Sequence, residues 1–205
     1  MNYYSKLLVF VLVIQSCAIT KGSENTNVVE AVKMQQAVLD DDLFYKIIKE
    51  MDYENSIDWS NGRLDYVNPE ELSNYSNNGS WLIDQYKTVG VYNIDEVFLW
   101  SKWNPFSSTT AVTNKCIKST KLNKHNLDRT KYSILNTLIH ERVHSFCVIH
   151  PSQQSKGQEC DPSYIVGDLA QMLALYRDGK DLSAFENELC DGLRSKLLKY
   201  NILTK

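Results

Sequence analysis

A chain of 205 residues with a 43% hydrophobic share can build one ordinary domain with a real core, which excludes global disorder. Its formal net charge is −3, with acids and bases well mixed, so the strongly basic balance of a nucleic-acid binder is missing and no nucleic-acid partner is expected.

The first segment reads as an export signal. Lys6 supplies a positive charge, Leu7 to Ile14 form an unbroken apolar run too short to span a bilayer, and Gln15, Ser16, Cys17 and Ala18 follow as small or polar residues. Ser16 and Ala18 stand where small residues are needed for a cut after Ala18, which gives a signal peptide over 1–18. Ile14-Gln15-Ser16-Cys17 is also similar to a bacterial lipoprotein box, with Gln15 departing from it. That reading gives a lipoprotein signal over 1–16 and a membrane tether through a lipid on Cys17. The expected location is secreted or periplasmic, with a membrane-anchored lipoprotein as the second form. Without Cys17, the cysteines are Cys116, Cys147, Cys160 and Cys190, an even set that in an exported chain implies up to two disulfides. Four cysteines allow three connectivities and the sequence alone does not choose among them; Cys147 with Cys160 and Cys116 with Cys190 is the one that closes a short loop.

Residues 19–27 are polar and read as a flexible leader before a domain over 28–205. From Val28 to Met51 the apolar residues recur at helical spacing, giving one or two helices broken near Asp40-Asp41-Asp42, a run able to cap the second. Asn61-Gly62, between Ile57–Trp59 and Leu64–Val67, is a hairpin signal. Asn74 to Ser80 is a loop by composition and holds glycosylation sequons at Asn74 and Asn78. Val89–Trp100 and Ala111–Lys118 are rich in β-branched and aromatic residues and read as strands, with a turn at Trp103–Phe106 between them. From Asp128 a long helical pattern carries Ile134, Leu135, Leu138, Ile139, Val143 and Phe146, and Pro151 ends it. A polar loop follows over Ser152–Glu159. Asp168–Tyr176, with Asp168 as N-cap, and Asp181–Tyr200 are the later helices. The expected fold class is α+β: a small mixed sheet packed on one central helix, followed by C-terminal helices.

The chemistry concentrates in that central helix, where residues 140–144 read His-Glu-Arg-Val-His. Positions four apart lie one above the other, so His140 and His144 can offer two imidazoles to one metal. Glu141 sits about 100° around the helix from His140, where its carboxylate can reach a water on the metal without taking a coordination position. A catalytic zinc holds three protein ligands and a water, and a carboxylate beside it acts as general base. Three of the chain's four histidines fall between 140 and 150, which makes His150 a candidate third ligand. Glu159, Asp161 and Asp168 are the acidic alternatives, Asp168 being placed at a helix start where it also serves as a cap. His125 lies in a polar stretch and reads as solvated.

The stretch HERVHSFCVIH resembles the metzincin metallopeptidase signature HExxHxxGxxH at His140, Glu141, His144 and His150, with Cys147 where that family has glycine. The resemblance implies a zincin-like fold, a Zn2+ held by the three histidines, and Glu141 as the catalytic base. The glycine lets the helix end in a left-handed turn that swings the last histidine back. A cysteine adopts that conformation at a cost of about 1–2 kcal/mol, which a disulfide or metal ligation could offset. A regular helix would instead put His150 about 240° around from His144 and away from the metal. No Met-turn is evident, and Met172 reads as a core methionine. The wider stretch is also similar to uncharacterised bacterial exported metallopeptidase-like proteins, at Asn136-Thr137-Leu138-Ile139, at His150-Pro151, and from Pro162 to Asp168. That similarity favours His150 as ligand and draws attention to Tyr164, whose hydroxyl would stabilise an oxyanion.

The expected function is therefore hydrolysis of a peptide or protein substrate by an exported zinc peptidase. The alternative is a non-catalytic exported zinc-binding protein or an inactive relative. The two differ at the fourth position of the metal: a structural site closes it with a protein ligand, and Cys147 is the residue placed to do so.

Overall fold

The computed structural model describes residues 18–20, 23–53, 69–88, 92–99, 108–150 and 161–204, with backbone alone for 18–20 and 52–53. The export signal up to Cys17 with its lipid site, the hairpin at Asn61-Gly62, the turn at Trp103–Phe106, the loop at 152–159 and the residues Glu159 and Cys160 lie outside the described residues.

The chain order is β1 (Ala18–Thr20), α1 (Thr26–Leu39), α2 (Asp42–Tyr53), α3 (Pro69–Leu72), α4 (Asn78–Thr88), β2 (Tyr92–Val97), β3 (Ala111–Thr113), β4 (Ser119–Asn123), α5 (Lys131–Ser145), α6 (Pro162–Arg177) and α7 (Asp191–Lys199). The fold is α+β, and the sheet is mixed, in the order β1-β2-β4-β3. β1 and β4 run parallel to β2, whereas β3 runs antiparallel to β4, with Thr113 opposite Thr120 and Ala111 opposite Leu122. Among the described residues β3 is an edge strand, and no helix is long and apolar enough to cross a membrane.

Helix α5 is the centre of the packing. Ile134, Leu135, Leu138, Ile139 and Val143 are wholly buried, against Val166, Leu169, Ala170 and Leu173 of α6 and Val28 and Ala31 of α1. α5 and α6 come close together at Gly167. A Cβ there would fall 2.6 Å from Asn136 Oδ1 and 2.9 Å from the Asn136 carbonyl oxygen, so a side chain at 167 would push the two helices apart. This contact sets the spacing between the helix that carries His140 and the one that carries Tyr164.

Several boundaries differ from the sequence expectations. α6 begins at Pro162, not at Asp168. The Asp161 side chain accepts from Ser163 N at 2.8 Å, and Pro162 fills the first helical position, where its missing N–H costs nothing. Asp168 is therefore an interior helix residue and not a cap. α5 starts at Lys131 behind a Thr130 cap. The two early helices part at the aspartate run as expected, Asp41 Oδ1 accepting from Leu43 N at 2.9 Å. Of the strand expected over Ala111–Lys118, only Ala111–Thr113 is strand. The next strand, β4, takes Leu122 and Asn123, which had read as part of a polar loop. Its polar letters hid it: Thr120 and Asn123 are buried side chains whose hydrogen bonds are made across the sheet. α4 was not anticipated at all. Its Asn77 cap and its buried Trp81, Leu82 and Tyr86 lie in and after a stretch that composition marks as loop. The long helix expected over Asp181–Tyr200 is shorter, with a 3-10 turn at Glu186–Glu188 before α7. β1 spans the junction of the expected signal peptide, which ends at Ala18, and the expected leader, and the α1 cap Asn25 falls within that leader.

Candidate metal centre

His140 and His144 project from the same face of α5, their ring centroids 5.2 Å apart. The helix ends at Phe146, and Cys147 takes φ 73, the left-handed conformation. The chain then reverses, and His150 comes back with its ring centroid 4.5 Å from His144 and 5.0 Å from His140. One ligand atom from each of the three histidines lies within 4.8 Å of the others, so these three residues can hold a metal ion.

The rings are held from behind. His144 Nδ1 donates to the Val148 carbonyl at 2.8 Å. His150 Nδ1 faces Asp161 Oδ2 at 3.2 Å and Ser163 Oγ at 3.3 Å. His140 bonds to the backbone of Ser163. With Nδ1 occupied, each ring offers Nε2, and the Nε2 atoms of His140 and His150 are 3.2 Å apart. Converging lone pairs repel unless a cation lies among them, so the donor set fits a metal. Burial, and after it the positive charge of its two histidine neighbours, pushes His140 down to about 3, and burial also lowers His144. Both rings are thus kept in the neutral form that ligates.

Glu141 lies beside these rings, 7% exposed. Thr113 of β3 hydrogen-bonds to its carboxylate, whereas Oε2 is buried with no hydrogen-bond partner among the described residues. Burial raises its pKa, against the pull of Thr113 and His150, which makes it a stronger base than an exposed glutamate. A cavity of about 310 Å³ opens here, lined by Thr109, Thr110, Ala111, Glu141, His150 and Tyr164 among others. Tyr164 stands on α6 with its ring centroid 4.6 Å from His140 and 5.2 Å from His150.

The acidic alternatives are placed differently. Asp161 sits behind His150, not beside the ligand atoms. Burial alone would raise its carboxyl, but the hydrogen bonds from His150 and Ser163 outweigh burial and lower it. Asp168 accepts from Asn136 Nδ2 at 2.9 Å and lines a neighbouring cavity of about 270 Å³ with Arg129 and Gln171, where burial raises its pKa to about 6. His125 is exposed, against the ring of Phe98. The sequence does not mark Ser163 or Thr113 as partners, because their contacts join separate elements. Nor did it mark Arg142. Its guanidinium is wholly buried 5.0 Å from the Tyr92 ring centroid, with no hydrogen-bond partner among the described residues, and burial lowers its pKa.

The cysteines pair otherwise than expected. Cys147 is bonded to Cys116, not to Cys160, and Cys116 is therefore not bonded to Cys190. Cys116 lies in the turn between β3 and β4, also at positive φ, and its N–H donates to the His144 carbonyl at 2.9 Å. Loop length does not select the partner of Cys147; the β3–β4 turn does, by landing against the end of α5. Cys190 is also disulfide-bonded. With its sulfur in a disulfide, Cys147 has no thiolate to close the metal's fourth position. No family model, curated protein or solved structure matches this chain.

Proposed function

We propose that this chain is an exported zinc-dependent metallopeptidase of metzincin-like ligand pattern and zincin-like fold. The observation that carries the reading is the convergence of three imidazoles, their ligand atoms within 4.8 Å of one another, beside a buried glutamate with one oxygen unpartnered among the described residues. Three neutral histidines with a fourth position left open make a donor set suited to catalytic zinc. A bound zinc would supply Lewis-acid polarisation and lower the pKa of water in contact with it to about 7.

The chain's own residues do the rest. His140, His144 and His150 hold the ion, and Asp161, Ser163 and Val148 hold their rings. Glu141 takes a proton from the attacking water and passes it to the leaving amine nitrogen. The Tyr164 hydroxyl donates to the carbonyl oxygen as negative charge builds there. β3, an edge strand whose Thr113 touches Glu141, offers an extended peptide a backbone to pair with. Export is supported by the disulfides at Cys116–Cys147 and Cys190 and by the N-terminal targeting pattern, so the protein works in a secreted or periplasmic setting. The non-catalytic alternative is disfavoured by Glu141, since a purely structural ion has no use for a buried base.

A broad peptide library tests the reading. The zinc-loaded protein is expected to cleave members of it, to stop when a chelator removes the metal, and to resume when zinc is returned. No cleavage across the library at full zinc occupancy would favour the non-catalytic alternative.

A further inference from the structure

We propose that the Cys116–Cys147 disulfide is a positioning element of the metal centre, holding residue 147 in the left-handed turn that returns His150, so that metal affinity depends on the bond being oxidised. The inference rests on reading the three histidines as metal ligands.

Neither bonded residue suits its backbone. Cys147 has φ 73 and Cys116 has φ 63, a region that a non-glycine side chain disfavours. Around them the local hydrogen bonds converge on one atom. The N–H groups of Cys116 and Cys147 both donate to the His144 carbonyl, at 2.9 and 3.1 Å. The next residue, Val148, supplies the carbonyl that fixes the His144 ring. Three residues before Cys116, Thr113 bonds to the Glu141 carboxylate. One covalent link thus ties the β3–β4 turn to the end of α5. It keeps two ligands and the partner of the base in a single frame. Cys147 sits where a glycine would adopt the turn unaided, and the disulfide replaces that freedom with restraint.

Cys116 is exposed, so a dithiol reductant can reach the bond. A thiolate of the reductant attacks one sulfur, the protein S–S bond breaks, and a mixed disulfide forms. The reductant's second thiol then displaces the protein sulfur. Two electrons pass to the protein, which gains two thiols, and the dithiol leaves as a disulfide. Freed of the link, residue 147 relaxes from positive φ and His150 swings away from its partners.

The test compares two variants that both lack the bond and both thiols, Cys116→Ser/Cys147→Ser and Cys116→Ser/Cys147→Gly. Zinc affinity is read by competition with a chromogenic chelator on the full mature chain, with circular dichroism confirming the fold. The serine pair is expected to bind zinc at least about tenfold more weakly than oxidised wild type, the scale set by losing support behind a ligand. The glycine variant is expected to regain wild-type affinity, because glycine adopts the turn unaided. A general loss of stability would weaken both alike, so the glycine rescue separates positioning from mere stabilisation. Should the serine pair not fold, wild type reduced by a dithiol and alkylated replaces it, with the same tenfold loss expected. Equal affinity with and without the bond would overturn the inference and leave the metal reading standing, as would a glycine variant no tighter than the serine pair. Failure of oxidised wild type to take up zinc would overturn both.

Discussion

Glu141→Gln is expected to keep the fold and the zinc, and to lower peptide hydrolysis by about 10²- to 10⁴-fold, the usual share of general acid–base catalysis. The glutamate is adjacent to a ligand on α5 but is not among the three residues that can hold the ion. Thr113 hydrogen-bonds to its carboxylate, and Oε2 is buried with no partner among the described residues. Glutamine matches the size and still accepts the Thr113 bond, but it cannot take a proton. The comparison requires wild type and variant at matched zinc occupancy and a peptide that wild type cleaves. Equal rates would remove Glu141 from the chemistry.

His150→Ala is expected to lower zinc affinity more than any change behind the ligands, because it deletes one of three donors. Asp161→Asn, which weakens the hydrogen bond to His150 Nδ1 without removing the ring, should lose about 10- to 100-fold. Asp168→Ala should leave zinc binding unchanged, since Asp168 faces Asn136 in the neighbouring cavity. The expected order of loss is therefore His150→Ala, then Asp161→Asn, then Asp168→Ala, read by chelator competition. His150 is only partly buried, so its truncation opens no large hole in the core. A harmless His150→Ala together with a damaging Asp168→Ala would assign the third ligand to the acid.

The local parts of the site were legible in the sequence. His140, Glu141 and His144 follow from helical spacing alone, and the apolar stripe from Ile134 to Val143 placed that helix in the core. His150 was legible only on condition that residue 147 turned left-handed, and the structure meets that condition with a cysteine where glycine was expected. The Asp161-Pro162 start of α6 was legible too, as a cap followed by proline, but Asp168 drew the boundary six residues late. What remained hidden is tertiary. Asp161 and Ser163 reach His150 because α6 starts beside the returning chain, and the spacing of α5 and α6 is set by Gly167 against Asn136. Thr113 reaches Glu141 because β3 turns back along β4. Nothing in the order of letters fixes such meetings, and the same holds for the partner of Cys147. β4 escaped because its polar letters have buried roles, and α4 because its first turn lies in an Asn-, Ser- and Gly-rich stretch that reads as loop.

Metal analysis of the mature, oxidised chain after mild dialysis tests the central claim most directly. About one zinc per molecule is expected, held by His140, His144 and His150. A folded protein that retains less than about a tenth of an equivalent of zinc, when a three-ligand site should fill stoichiometrically, would contradict it.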